Sequence, residues 1–192
     1  MSLKKRVWAE LDAVCPEHTI FASNTSALSI SEMGAATKRP QKMIGMHFFS
    51  PAHVMKLVEI IPGLDTSQET IDYVVMLNDY LRKKPVVVQE IPGILVNSKL
   101  MPYLGEAAFA LQEGAATARE IDETMVQFGW PMGPFTLMDM LGIDVVYHTA
   151  RYLGEEYGVD IPPLFQMMYE AGRLGEKAGA GFYGYGDQTD EP

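Results

Sequence analysis

The sequence has almost no cysteine and no long apolar run. Cys15 is the single cysteine in 192 residues, which excludes an internal disulfide framework and favours a reducing compartment. No apolar stretch approaches the roughly 18 residues of a membrane-spanning helix. The segment from Met1 to Arg6 lacks the apolar core of a signal peptide. A cytoplasmic location without a membrane span is therefore predicted.

Positive charge is also scarce. The chain has 15 Lys and Arg against 25 Asp and Glu, which gives a formal net charge of -10. A nucleic-acid-binding surface needs more clustered basic residues than short runs such as Lys4-Lys5-Arg6 supply, so nucleic acid is not an expected partner. The sequence contains neither H-E-x-x-H nor paired cysteines, and no metal is expected.

The sequence has no glycine-rich phosphate-binding turn after a predicted strand. The pattern G-x-G-x-x-G, which holds a cofactor pyrophosphate at a helix N-terminus, does not follow any predicted strand. Dense glycines occur only near the C-terminus, at Gly179, Gly181, Gly184 and Gly186, where bulky aromatic residues separate them. That spacing favours a turn over a phosphate loop.

Hydrophobic patterning divides the chain into two predicted domains. Over residues 1–63, helical spacing alternates with the short apolar runs TIFA, MIGMHF and MKLVEII, which is typical of an α/β sheet covered on both faces. Pro62-Gly63 breaks this pattern. Residues 64–192 are mostly helical, apart from a brief extended run at KPVVVQ. The predicted fold is an α/β remnant of a doubly wound nucleotide-binding domain followed by an all-α helical domain.

Capping patterns mark several of the predicted helices. Ser29 to Glu32, Thr66 to Glu69 and Thr117 to Glu120 each have the spacing of a capping box. A long apolar helix is predicted from Gly93 to Glu113, and Pro102 within it predicts a kink because proline removes a helix hydrogen bond.

A histidine and a glutamate bracket the stretch HFFSPAHVMKLVE, residues 47–59. A strand, a turn at Ser50-Pro51 and a second strand would bring His47 and Glu59 together across a sheet. The carboxylate would then accept a hydrogen bond from one imidazole nitrogen and increase the basicity of the other, which makes a general base. The alternative is structural, with a histidine at the end of one strand and an unrelated glutamate on the next.

Two further polar residues occupy positions where ligands commonly bind. Ser26 follows the strand TIFASN, and the C-terminal ends of strands in an α/β sheet are where ligands meet the protein. Asn97 is the single amide in the apolar start of the predicted long helix. Each residue also fits a turn, cap or helix-start role. The remaining histidines fit a solvated turn at His18, a loop surface at His53 and a packed or interfacial position at His148.

Taken together, these motifs resemble the 3-hydroxyacyl-CoA dehydrogenase family. They are SNTS at 23–26, GMHFFSP at 45–51, MKLVE at 55–59, PGILVN at 92–97 and GWPMGPFTLMDMLGID at 129–144. The resemblance extends from about residue 4 to residue 185 and is strongest to the dehydrogenase part of multifunctional fatty acid oxidation proteins. It implies NAD-dependent oxidation of a 3-hydroxyacyl-CoA to the 3-oxoacyl-CoA in β-oxidation.

The resemblance also implies roles for particular residues. His47 corresponds to the catalytic base and Glu59 to its partner. Ser26 and Asn97 correspond to side chains that hold the reacting oxygen and the histidine, and Asn24 and Ser26 to the NAD site. The implied partners are an acyl-CoA substrate, a second copy of the chain bound through the helical domain, and hydratase or thiolase activities in the intact protein.

Departures from the family pattern affect what the chain can do alone. Family members often carry an aromatic residue at the position of Ile94 and an arginine at that of Ser98. The glycine fingerprint, the acidic residue for the adenine ribose and an upstream glutamate of the family's active site have no counterpart here. The chain is therefore expected to be a fragment that is inactive as given and does not bind NAD appreciably.

Two alternatives remain open from the sequence. One is a non-catalytic helical dimerisation or scaffold module, in which the α/β part has no activity. The other is a related β-hydroxyacid dehydrogenase, although such enzymes more often use a lysine on the substrate helix, and Lys99 does not match that position.

Overall fold

The computed structural model describes residues 1–26 and 28–186, and the chain forms two compact units that divide after Leu95. Within its described residues, the first unit contains three α-helices, a four-stranded sheet and a short 3-10 turn. Its helices are α1 (Ser2–Val14), α2 (Ile30–Gly34) and α3 (Gln68–Tyr80), its strands are β1 (Phe21–Ser23), β2 (Met43–Phe48), β3 (Leu57–Pro62) and β4 (Lys84–Val87), and the 3-10 turn is Pro40–Lys42.

The sheet of the first unit is mixed, with the strand order β1-β2-β3-β4. β1 and β2 are parallel, β2 and β3 are antiparallel, and β3 and β4 are parallel. The central strands are apolar on both faces because each face carries its own core. One face packs Met43 and Ile61 with Phe21, and the other packs Ile44 with Val58. The predicted α/β architecture of this half is confirmed.

The boundary between the units differs from the predicted division after residue 63. β4 pairs with β3, and α3 contacts both of these strands, so both elements belong to the α/β unit and the division falls after Leu95. The run KPVVVQ predicted an extended segment but not its partner, because a valine-rich edge strand with mostly exposed side chains does not show which strand it pairs with.

The second unit, which begins at Val96, is helical. Its helices are α4 (Val96–Gln112), α5 (Ala118–Phe128), α6 (Pro134–Leu141), α7 (Ile143–Tyr157) and α8 (Pro163–Glu170), followed by a 3-10 turn at Glu176–Ala178. Their inward faces form one core around Leu104, Phe135 and Phe165, all of which are fully buried. The predicted all-α domain is confirmed for this part of the chain, and Pro102 lies inside α4 as predicted.

Side-chain caps begin three of the helices. At the start of α2 the Ser29 hydroxyl accepts the backbone N–H of Glu32, and at the start of α3 the Ser67 hydroxyl accepts the backbone N–H of Thr70. Thr117 and Glu120 form the complete reciprocal capping box of α5. These hydrogen bonds satisfy N–H groups that have no partner within the helix. The helix starts predicted at Ser29 and Thr117 are confirmed, whereas α3 is capped by Ser67 and not by the predicted Thr66.

Two buried aspartates hold the C-terminal turn against the helices. Asp139 accepts the backbone N–H groups of Phe182 and Tyr183, both at 2.9 Å, and Asp122 accepts the Tyr183 hydroxyl. A Cβ atom at Gly181 would collide with the Asp139 carboxylate. Close packing therefore accounts for this glycine, in agreement with the predicted turn. Among the described residues, no helix is both long and apolar enough to cross a bilayer.

Candidate active site

His47 and Glu59 face each other across the two central strands. They are direct partners in the antiparallel pairing of β2 and β3, and the Nδ1 atom of His47 lies 2.6 Å from Oε2 of Glu59. Glu59 is 1% exposed and His47 is 8% exposed. The spatial pairing predicted from the strand-turn-strand pattern is therefore confirmed.

The hydrogen bond fixes which imidazole nitrogen is basic. An ionised carboxylate can only accept hydrogen bonds, so Nδ1 of His47 carries the proton that Glu59 accepts. In the neutral ring the lone pair then belongs to Nε2. A buried ion pair forms if the ring takes up a second proton there, because the imidazolium would lie against the carboxylate in a site that water scarcely screens. A ring held in this way can accept a proton at Nε2, which is the chemistry that a general base needs.

Glu59 is held by the backbone as well as by the histidine. Its Oε1 atom accepts the N–H of Leu95 at 3.1 Å, while Oε2 bonds to His47. The two carboxylate oxygens therefore have different partners, and rotation of the carboxylate would break both bonds. This contact was missed in the sequence, because a backbone donor leaves no residue-type signal; the turn residues Pro92-Gly93 are the one hint.

The loop between β2 and β3 is anchored near the histidine. The Phe49 ring lies 4.8 Å from the His47 ring, centroid to centroid, and the Ser50–Pro51 peptide is cis. The Lys83 ammonium donates to the backbone carbonyls of Ala52 and Met55, the second at 2.8 Å. The predicted turn is thus confirmed, and Lys83 is a further anchor that sequence reasoning missed.

The end of β1 carries the other polar residues predicted in this unit. The Asn24 side-chain oxygen accepts the backbone N–H of Phe48 at 2.8 Å, which ties the end of β1 to the end of β2, next to His47. Ser26 follows in the exposed segment after β1. Thr25 is buried, and its hydroxyl oxygen accepts the N–H of Leu28 at 2.9 Å.

Asn97 lies in the first turn of α4, in the second unit. Asn97 is near the start of the long helix as predicted, but α4 begins at Val96 and not at Gly93, because Gly93 and Ile94 have left-handed backbone conformations. The role of Asn97 in the site remains a prediction. His18 and His53 are exposed in turns, while His148 is exposed with its ring against Tyr169. Within residues 1–26 and 28–186, no group of three His, Cys, Asp or Glu side chains is arranged to hold a metal ion.

Sequence comparison covers nearly the whole chain. Residues 1–91 match the profile of the 3-hydroxyacyl-CoA dehydrogenase NAD binding domain, and residues 93–185 match that of the 3-hydroxyacyl-CoA dehydrogenase C-terminal domain. The chain belongs to the 3-hydroxyacyl-CoA dehydrogenase family. The resemblance found in the motifs is therefore confirmed, and the two matched ranges meet close to the division between the compact units.

Individual relatives agree with this assignment. The chain is 45% identical over 187 residues to a fatty acid oxidation complex subunit alpha from Acinetobacter baylyi, which covers 95% of this chain and 26% of that protein. It is 46% identical over 189 residues to a 3-hydroxybutyryl-CoA dehydrogenase from Clostridioides difficile, covering 96% of this chain and 67% of that protein. The chain thus spans about a quarter of the first relative and two thirds of the second.

Solved structures show the same fold. The crystal structure of an (S)-3-hydroxybutyryl-CoA dehydrogenase from Ralstonia eutropha superposes with a TM-score of 0.93 at 40% identity, over 97% of this chain and 68% of that one. The α/β unit and the helical unit are therefore both family features.

The residues present fit part of an NAD site. Asn24 and Ser26 follow a parallel strand, at the sheet edge where α/β proteins hold ligands. The connection from β1 to α2 contains no glycine, and Gly181 is accounted for by its packing on Asp139. Polar side chains are thus present at a sheet edge of the ligand-binding kind, and their contact with the cofactor remains a prediction. The sequence has no glycine-rich turn after a strand for the pyrophosphate.

Proposed function

We propose that the protein acts as an NAD-dependent dehydrogenase that oxidises a 3-hydroxyacyl-CoA to the corresponding 3-oxoacyl-CoA. The observation that carries this proposal is the buried pair of His47 and Glu59, joined at 2.6 Å with one imidazole nitrogen left to act as a base. Membership of the 3-hydroxyacyl-CoA dehydrogenase family supports the same reaction.

In the proposed reaction His47 removes a proton from the substrate. Its Nε2 atom accepts the proton of the 3-hydroxyl group as the carbonyl forms at C3. Glu59 stabilises the resulting imidazolium and keeps the ring in the orientation that places Nε2 toward the substrate. NAD held near Asn24 and Ser26 would supply the acceptor for the hydride of C3. The Phe49 ring packs beside the imidazole and helps to hold its orientation.

Other roles follow from the family resemblance and are part of the proposal. Ser26 and Asn97 supply polar groups to the reacting oxygen and to the histidine. Asn24 and Ser26 lie with the nicotinamide end of the cofactor; in the structure Asn24 already joins the strand ends beside His47. Ser26→Ala and Asn97→Ala are expected to lower kcat more than they raise KM.

We further propose that the 192 residues alone bind NADH weakly and have no turnover. Backbone N–H groups of a glycine-rich turn normally hold the pyrophosphate, and one or two side chains do not offset the roughly 4 kcal/mol or more lost when a free ligand is immobilised. Calorimetry of the chain with NADH and with acetoacetyl-CoA tests this. A micromolar dissociation constant for NADH would refute it.

Partners are proposed on the same basis. The substrate is an acyl-CoA, and a second copy of the chain associates through the helical unit. The relatives named as fatty acid oxidation complex subunits suggest that hydratase or thiolase activities accompany the dehydrogenase. Such a protein would carry out consecutive steps of β-oxidation.

A chimera provides the activity test. A nucleotide-binding strand, glycine-rich turn and helix from an active relative are joined ahead of Met1, and NADH consumption is followed with acetoacetyl-CoA. We expect turnover in the chimera and its loss in the His47→Ala chimera. A folded chimera that binds NADH but never consumes it would overturn the proposed function and favour a non-catalytic helical module.

A further inference from the structure

Ile94 has a backbone conformation that its side chain disfavours. Its φ is 56°, in the left-handed region, and it directly follows Gly93 with φ 74°. A residue branched at Cβ rarely adopts this region, because the branch crowds the backbone. Among the described residues, Arg82 is the other non-glycine residue with positive φ, but Arg82 is exposed whereas Ile94 is 5% exposed.

The packing of Ile94 explains how this conformation persists. Its side chain lies in the core on the sheet face that also contains Phe21, Met43 and Ile61. Its backbone N–H donates to the Ile91 carbonyl at 2.9 Å, which closes the turn. Unfavourable backbone conformations survive where the surroundings determine them from several sides, and they are concentrated at functional sites.

The left-handed conformation of Ile94 determines the orientation of the peptide group that follows it. The backbone angles of Ile94 set the plane of the peptide that joins it to Leu95, and in the left-handed conformation that N–H points at Oε1 of Glu59, 3.1 Å away. A change of Ile94 to negative φ would turn the N–H away. The carboxylate would then lose the bond that opposes its contact with His47.

We propose that Ile94 is a positioning residue of the acid-base pair: its left-handed backbone aims the Leu95 N–H at Glu59 and thereby orients the carboxylate against His47. Core packing of the isoleucine side chain offsets the steric cost of this conformation, a cost that glycine does not have and that alanine keeps without the packing. This inference takes its catalytic meaning from the proposed function, but the arrangement itself is measurable without turnover.

Two substitutions at residue 94 separate the backbone effect from the loss of packing. Ile94→Ala and Ile94→Gly both remove the side chain from the core, but only glycine adopts positive φ without a steric penalty. In the ¹⁵N-labelled 192-residue chain, NMR reports the hydrogen exchange of the Leu95 amide and the tautomer of the His47 ring. Ile30→Ala, in the same core, is the control for a general loosening of packing.

We expect Ile94→Ala to accelerate exchange of the Leu95 amide by about tenfold or more and to convert His47 from the Nδ1–H form to a mixture of tautomers. Ile94→Gly and Ile30→Ala should stay near the parent chain in both signals. Equal effects of alanine and glycine at 94, or no effect of either, would overturn the proposal. If Ile94→Ala does not fold, parent-like signals in Ile94→Gly support it and disturbed signals refute it.

The contact with the carboxylate is tested separately. Glu59→Gln should accelerate Leu95 exchange, because an amide oxygen is a weaker acceptor than a carboxylate, and unchanged exchange would refute the link. In the chimera, Ile94→Ala should lower kcat by about tenfold with little change in KM, and Ile94→Gly should restore most of it. A chimera without any turnover would refute the proposed function. The NMR signals of the 192-residue chain would still decide whether Ile94 positions the Leu95 N–H.

Discussion

Tyr183 donates its hydroxyl proton to the Asp122 carboxylate across 2.9 Å. Burial, followed by this hydrogen bond, raises the pKa of Tyr183, so the hydroxyl remains a donor at neutral and moderately alkaline pH. The same residue donates its backbone N–H to Asp139. One tyrosine therefore joins both buried aspartates of the helical unit to the C-terminal turn.

Removing that hydroxyl should destabilise the protein. Tyr183→Phe leaves Asp122 with its bonds to Phe135 and Thr136 but without its tyrosine donor, and we expect a loss of about 1 to 2 kcal/mol in the free energy of unfolding. Urea denaturation measures the loss. Tyr80→Phe, at an exposed position, is the control and should be neutral; equal effects of the two substitutions would contradict the role of the bond.

Acidification should weaken the first unit through Asp12. A hydrogen bond from the Lys38 backbone, and then one from the Arg39 side chain, hold the pKa of Asp12 below its usual value. Because the pKa of Asp12 is lower in the folded than in the unfolded chain, Asp12 contributes fully to stability above its unfolded pKa of about 3.9. This contribution is lost as the pH falls through the folded-state pKa. The free energy of unfolding, measured by urea denaturation over a series of decreasing pH values, should therefore decrease once the pH is below about 4.

The control for this acid effect is a matched pair of substitutions. Asp12→Asn should reduce the loss of stability at low pH, because the Arg39 ion pair at 2.5 Å is already absent. Asp65→Asn, at an exposed position, should leave the acid profile as in the parent chain. Identical profiles for all three proteins would show that Asp12 does not contribute to the acid response.

His47→Ala should abolish most turnover in the chimera. Loss of a general base typically lowers kcat by about 100-fold to 10,000-fold, while KM changes little because the imidazole acts mainly in the transition state. His53→Ala removes an exposed histidine from the loop that follows and should retain activity. A loss below about tenfold in His47→Ala would reject the assignment of the base.

Glu59→Gln should have a smaller effect than His47→Ala. The amide can still orient the ring but cannot stabilise the imidazolium by charge, so we expect kcat to fall by about 10-fold to 100-fold. Steady-state kinetics of the chimera measure this. Glu69→Gln, on the exposed surface of α3, is the control. Unchanged kinetics in Glu59→Gln would restrict residue 59 to a structural role.

The helical unit should associate with a second copy. Large apolar side chains remain exposed on it, including Phe128 at 80% and Met167 at 63%, and exposed patches of this kind commonly mark interfaces. Light scattering at micromolar concentration should show a dimer. Met167→Glu should shift it toward the monomer, whereas Glu123→Gln should not. A strictly monomeric parent chain would contradict the prediction.

Residue types and their spacing were enough to predict the acid-base pair, whereas the contacts that depend on backbone conformation could not be predicted. The pairing of His47 with Glu59 was predictable because a turn at Ser50-Pro51 between two short apolar runs has one simple outcome, an antiparallel pair. The left-handed conformation of Ile94 was not predictable from the sequence, since it depends on tertiary packing. The hydrogen bond from the Leu95 N–H to the Glu59 carboxylate was not predictable either.

The fold shows the same division between local and tertiary information. Thr117 and Glu120 specify a helix start by hydrogen bonds within four residues, so the sequence predicts it directly. Strand β4 depends on a distant partner, β3, and the valines that predict an extended segment do not reveal which strand it pairs with. The domain boundary was misplaced for that reason.

The direct opposition of His47 and Glu59 requires one particular register of the two strands that carry them. Side chains alternate between the two faces of a sheet, so a register shift by one residue would present Val58 or Ile60 to the histidine and turn the glutamate to the opposite face. Insertion or deletion of one residue within either strand, between position 47 or 59 and the rest of its pairing, would have this effect even if both strands still formed. Changes of length that keep the acid-base pair intact are therefore confined to the connection at residues 49–56, where a loop can absorb them.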